Sequence, residues 1–176
     1  MLSLPQRSNE FPETLEQTDF GPARPVASYA NCAAALRRYA FLEIGDYPEF
    51  FRHSYEEPDF ALRSLAHGWE VRFEPVAIIR HLWTPSERSE IRIHQLHARN
   101  EAWSVLMRCA WHTLPAMLVF RAVRQFGYAL KRGLGWAVRE PQWWLAFLSG
   151  APHALAHRKP VPWKSFFAWM KLSRAR

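Results

Sequence analysis

Pro58 constrains this chain more than any other residue. It stands inside S-Y-E-E-P-D-F-A-L-R, Ser54 to Arg63. Its fixed φ and missing N–H suit only the first turn of a helix, and it disfavours αR geometry at Glu57. The stretch therefore predicts a helix over 59–67, N-capped by Glu57 and stopped at Gly68. Phe60, Ala61, Leu65 and Ala66 would form its apolar face. Three carboxylates, Glu56, Glu57 and Asp59, then crowd the helix tip, where the dipole favours anions. One reading is an acid–base site. The other is a capped surface helix with Asp59 and Arg63 as an i,i+4 ion pair.

Charge divides the chain. Residues 1–103 carry 11 Lys/Arg and 15 Asp/Glu, a net of −4, while residues 104–176 carry 12 Lys/Arg against Glu140 alone, a net of +11. Six of the nine tryptophans also lie in the second part, so the two parts are expected to meet different surroundings. Cys32 and Cys109 offer no disulfide framework and no metal-ligand pairing, which fits a reducing compartment. The first ten residues lack the apolar core of a signal peptide. No apolar run is long enough to predict a membrane-spanning helix.

Residues 1–26, with Pro5, Pro12, Pro22 and Pro25, read as loop or linker. Val26 to Leu36 is small and apolar and predicts a buried strand or a short helix. Arg38 to Ile44 predicts one or two helical turns closed by Gly45, and Tyr47 to Phe51 adds aromatic mass. After Gly68, Val71 and Phe73 alternate with charged residues as in a strand, and Ala77 to His81 predicts a short buried strand. A helix is expected from about Glu90 to Ala110, with Ile93, Leu96, Trp103, Leu106 and Ala110 on one stripe. Leu114 to Arg132 predicts an amphipathic helix. Its apolar face would hold Met117, Leu118, Phe120, Val123 and Leu130, with Arg121, Arg124, Lys131 and Arg132 on or near the other. Gln142 to Leu148 predicts a short aromatic helix ended by Gly150 and Pro152, and Trp163 to Leu172 a last one. There is no internal repeat.

Taken in order, N-C-A-A-A-L-R-R (31–38), A-F-L-E-I-G-D-Y-P-E-F-F, Y-E-E-P-D-F-A-L-R, A-H-G-W-E-V-R-F-E-P-V-A-I-I-R-H, T-P-S-E-R and A-R-N-E-A-W carry a resemblance. Over roughly residues 27–107 the chain resembles the C-terminal half of the catalytic domain of bacterial family 2 glycosyltransferases, which are inverting enzymes of the GT-A fold. The resemblance implies an α/β fold class: a partial GT-A (nucleotide-diphospho-sugar transferase) domain over 27–110, preceded by a linker remnant, 1–26, and followed by a basic helical extension, 111–176.

The same resemblance implies a site. The family's Glu-Asp pair falls on Glu56 and Glu57, with Glu57 as the base that deprotonates an acceptor hydroxyl. Asp59 and Arg63 match further family residues and would contact substrate. His81 matches the histidine that ligates a nucleotide-bound divalent cation, Mg2+ or Mn2+. Arg88 and Arg92, in and after the loop that follows it, would contact the donor pyrophosphate. The implied partners are a nucleotide-diphosphate sugar donor and a glycan or lipid-linked acceptor.

The chain departs from the family in two respects: Glu57 stands where aspartate is commoner, its carboxyl one methylene further out, and the nucleotide-binding half is missing. The chain's three aspartates, Asp19, Asp46 and Asp59, form no Asp-x-Asp pair, and about 55 residues before the acids are too few for the nucleotide-binding half. A chain supplying that half is therefore an expected partner, and the partial sheet is expected to expose an apolar edge. Aromatic and aliphatic residues interleaved with Lys and Arg in 111–176 predict contact with an anionic membrane surface, placing the protein in the cytoplasm on the inner face of the membrane. No nucleic-acid motif accompanies the basic charge. The alternative to an enzyme is a non-catalytic membrane-surface or scaffolding protein.

Overall fold

The computed structural model describes residues 1–84 and 89–174. Short strands come early: β1 (Leu2–Ser3), β2 (Gln6–Ser8), β3 (Arg24–Pro25) and β4 (Ala34–Ala35). Helices α1 (Arg38–Ile44) and α2 (Glu56–Ala66) follow, then β5 (Arg72–Phe73) and β6 (Ile79–His81). The rest is helical: α3 (Glu90–Arg108), α4 (Leu114–Arg132), α5 (Leu134–Ala137), α6 (Glu140–Ala156) and α7 (Trp163–Arg174). The class is mixed α/β.

One sheet has the order β3-β5-β1-β4, with β1 parallel to β5 (Leu2 opposite Arg72) and antiparallel to β4. A second pairs β2 with β6 in parallel, Ser8 opposite His81. This corrects the reading of residues 1–26 as linker: β1 fills the slot between β4 and β5, and β2 covers β6. The outer strands β3 and β4 are two residues long, and β3 carries Arg24 and Pro25, which suit an edge. Val26 to Leu36 forms neither a full strand nor an α-helix but a 3-10 turn, Asn31–Ala33, running into β4.

The helix at Pro58 starts earlier than its proline predicts. Tyr55 is the N-cap, in left-handed geometry, so Glu56 and Glu57 occupy the first turn and Glu57 is not the cap. Pro58 still lies where its missing N–H leaves no hydrogen bond unmade.

α3 is the central rod. α4, α6 and α2 pack on it, and α7 packs on α2. Phe51, Tyr55 and Leu62 share one core with Trp103, Leu106, Met107, Leu114, Phe166 and Trp169, so the core runs unbroken across residue 110. A second core joins Tyr29, Ala40, Ile44, Phe60 and Val71 beneath the sheet end of α2.

α6 runs through Gly150 and Pro152 rather than ending before them. Gly150 lies on the indole of Trp103, where a Cβ would come within 2.1 Å of a ring carbon. The Trp103 indole N–H donates to Phe147 O at 3.0 Å. Gly150 is thus the contact that lets α6 approach α3.

α4 has the expected bounds, but its faces are mixed: Met117 and Leu118 pack into the core, while Phe120, Val123 and Leu130 are exposed. Arg121 is buried and donates to Glu101 at 2.7 Å, Arg124 pairs with the same carboxylate, and Gln125 donates to it at 2.6 Å. Glu101 draws these polar side chains inward, leaving Val123, Phe126 and Leu130 in solvent. Another buried acid, Glu140, accepts from the Trp143 indole and meets His94 Nε2, both at 2.7 Å, joining α6 to α3.

Candidate active site

The acids of α2 are set by an unusual turn. Arg52, Ser54 and Tyr55 all have positive φ (60°, 74° and 71°) although none is glycine. Such residues cost about 1–3 kcal/mol each and persist only where neighbours hold them. α3 supplies the hold. The Asn100 side-chain amide donates to Phe51 O at 3.0 Å, His53 O at 2.9 Å and Ser54 O at 2.7 Å. Arg99 donates to the Asn100 side-chain oxygen at 2.9 Å through Nη2, which fixes the amide's orientation. Tyr55 OH donates to Glu101 at 3.4 Å, and Ser54 Oγ lies 3.3 Å from His97 Nδ1. Burial holds the His97 imidazole below its usual range.

Glu56 and Glu57 then emerge from the first turn of α2, where backbone N–H groups lack intrahelical partners. Partial burial pushes the Glu57 carboxyl above the usual range. The neighbouring Glu56 charge adds to this, and backbone hydrogen bonding at Glu57 and Asn31 opposes it. Asn31 Nδ2 lies 3.5 Å from Glu56 Oε1, while Glu56 Oε2 is buried with no hydrogen-bond partner. Tyr47 OH donates to Asn31 Oδ1 at 3.2 Å and lies 2.7 Å from Tyr29 OH. Burial raises both phenols, so this relay is protonated and neutral. The arrangement provides one half-buried carboxyl with raised proton affinity, a second beside it, and a hydroxyl–amide chain that reaches the second.

Asp59 and Arg63 are placed differently from a substrate-binding pair. Asp59 is 1% exposed and accepts from Arg63 Nε at 2.9 Å, Arg108 Nε at 3.0 Å and Ser104 Oγ at 2.7 Å. Arg63 spends its other N–H groups on Ile44 O, Gly45 O and Asp46 O. The pair ties α2 to α3 and to the loop after α1. A cavity of about 840 Å3 is lined by that loop, Arg63, His67, Arg108 and the His153–Val161 region, and neither Glu56 nor Glu57 lines it.

His81 ends β6, and its Nδ1 lies 3.3 Å from Ser8 Oγ. β6 packs against the 3-10 turn that carries Asn31, so both reach the same end of the fold. Among the described residues no group of three or more His, Cys, Asp or Glu could hold a metal ion. The described residues therefore form no such cluster around His81. Arg92 lies in the first turn of α3, exposed, its backbone N–H donating to the Ser89 cap at 3.4 Å. Arg88 lies outside the described residues. No helix among the described residues is long and apolar enough to cross a membrane.

Sequence reasoning named Arg99-Asn100 as part of a pattern but not as the clamp, and it missed Asn31, Tyr29 and Tyr47. A fully buried Asn inside a helix was the available signal, since Asn competes with helical backbone bonding unless its amide has other carbonyls to serve. Comparison with family models, curated proteins and solved structures finds no match to this chain.

Proposed function

We propose that this chain is the acceptor-side portion of an inverting glycosyltransferase, with Glu57 as general base. The observation that carries the reading is the raised proton affinity of Glu57 on a helix tip held by a strained, clamped turn. In the proposed reaction Glu57 takes the proton of an acceptor hydroxyl. That oxygen bonds to the anomeric carbon as the bond to the nucleoside diphosphate breaks, and the diphosphate leaves with the electron pair. Glu56, 3.5 Å from Asn31 Nδ2, lies beside the base and adds to its raised proton affinity. A lipid-linked or envelope acceptor would place this chemistry at the inner face of the cytoplasmic membrane.

Donor recognition, the divalent cation and the Asp-x-Asp grip would come from a nucleotide-binding half outside this sequence. The chain's own residues supply no step through a metal. The test is nucleoside diphosphate release from a panel of nucleotide sugars, with the chain expressed together with a nucleotide-binding half that carries Asp-x-Asp. Glu57→Gln should abolish release and leave donor binding intact. Release at the parental rate by that variant would remove Glu57 as the base.

The outward apolar face of α4 favours a second reading, a non-catalytic scaffold on a membrane. Absence of release by the parent protein with every donor, together with intact folding, would select it.

A further inference from the structure

α4 buries Leu114, Met117 and Ala129 together with two polar side chains, and leaves a stripe of large apolar residues outside. Arg121 and Gln125 are buried on Glu101, while Val119, Val123, Phe126 and Leu130 recur at four-, three- and four-residue steps on the outside. Val123 is 66% exposed. The apolar exposure continues past Gly133 into α5 and the residue after it, where Leu134 and Val138 are 77% and 72% exposed. α6 repeats the pattern with Trp144, Leu145 and Leu148 outward. Leaving such a stripe in water forfeits the burial that each of these side chains would otherwise gain.

Within residues 104–176 the exposed side-chain charge has one sign. Lys131, Arg132 and Arg139 are exposed and interleave with Leu130, Leu134 and Val138 along the chain. Glu140, the sole side-chain carboxylate in residues 104–176, is 1% exposed and spent on His94 and Trp143. The described surface of this segment therefore presents no acidic side chain. A second copy meeting it through the same face would set like charges against like, which disfavours that symmetric association. The occupant that fits is apolar in depth, anionic at its rim and extended along a helix of 19 residues, roughly 28 Å.

We infer that the outer face of α4 and α5, continued by α6, is a docking surface for an anionic lipid membrane. The helices lie in the interface with Val119, Val123, Phe126 and Leu130 entering the acyl boundary and Lys131, Arg132 and Arg139 on lipid phosphates. This surface is independent of the acids on α2, and its test uses no sugar donor.

The test is co-sedimentation of the full chain with vesicles of equal parts phosphatidylcholine and phosphatidylglycerol, beside pure phosphatidylcholine. The chain should pellet with the anionic vesicles in a salt-sensitive way and stay in solution with the neutral ones. Val123→Asp with Leu130→Asp should reduce the bound fraction about tenfold or more while circular dichroism is unchanged. Lys131→Gln and Arg139→Gln, which touch no buried contact, should each weaken binding about fivefold. Failure to pellet with anionic vesicles would overturn the inference, as would unchanged binding by both sets of variants. A stable dimer in solution that Val123→Asp with Leu130→Asp turns to monomer, with no vesicle binding by the parent, would replace the membrane with a second copy.

Discussion

The side-chain amide of Asn100 donates to Ser54 O at 2.7 Å, and through this contact α3 sets the geometry at which α2 begins. The same amide serves Phe51 O and His53 O, so a single buried group holds a turn with three non-glycine residues at positive φ. The acids that follow owe their position to a residue more than forty positions away.

Asn100→Ala removes the amide and leaves those carbonyls short of a donor. It should lower unfolding stability by about 2–4 kcal/mol, read from urea denaturation. Asn100→Asp keeps the shape but replaces the donor with an acceptor facing carbonyls, so it should cost at least as much. A loss below that of a surface substitution in both variants would show that the turn holds itself.

Glu57 carries a proton more readily in the folded chain than in the unfolded one. Its contribution to stability is therefore fully present below the unfolded value and declines as pH rises through the folded value. Glu57→Gln removes that decline, so the variant should gain stability relative to the parent between acidic and neutral pH. Denaturation midpoints measured across that window check it, and parallel curves for parent and variant would contradict the raised affinity.

Two positions later the sign reverses. Burial alone would raise Asp59, but Arg108 and Arg63, with the Ser104 hydroxyl, outweigh it and hold the carboxyl below the usual range. Its stabilisation is complete above the unfolded value and is lost as pH falls through the folded one. Asp59→Asn leaves two buried guanidinium groups without a counter-charge and should cost about 3–5 kcal/mol at neutral pH. The variant should also lose the part of the acid-side decline that belongs to Asp59.

These local and distant effects mark where the sequence could be read. α1 closes at Gly45 and α4 runs between Pro115 and Gly133 as their residues indicate, because helix ends depend on near neighbours. β1 and β2 were not legible. Strands of two or three residues exist through their partners β5 and β6, about seventy positions on, and carry no period of their own. The span of α4 was legible but not all of its inward residues, since Glu101 on another helix draws Arg121 and Gln125 in beside Met117. The acid pair was visible, while the Tyr29–Tyr47–Asn31 chain that reaches it joins residues whose meeting no spacing announces.

Gly150 is the last such case, and its cause can be tested directly. By propensity a glycine followed by Pro152 marks a helix end, and Ala would be favoured in a helix interior by roughly 0.8–1 kcal/mol. The contact with Trp103 opposes this. An added methyl would approach the indole to 2.1 Å, and that ring is held by its bond to Phe147 O and packed within the core. Relief requires α6 to move away from α3 or Trp103 to leave its rotamer, and such overpacking costs about 1–3 kcal/mol. Gly150→Ala should therefore destabilise the chain despite better helix propensity, with a changed Trp103 fluorescence environment. The paired change Gly150→Ala with Trp103→Phe makes room for the methyl, so the double variant should be less destabilised than the two single losses added together. If the losses simply add, the close approach of α6 to Trp103 is not what requires the glycine.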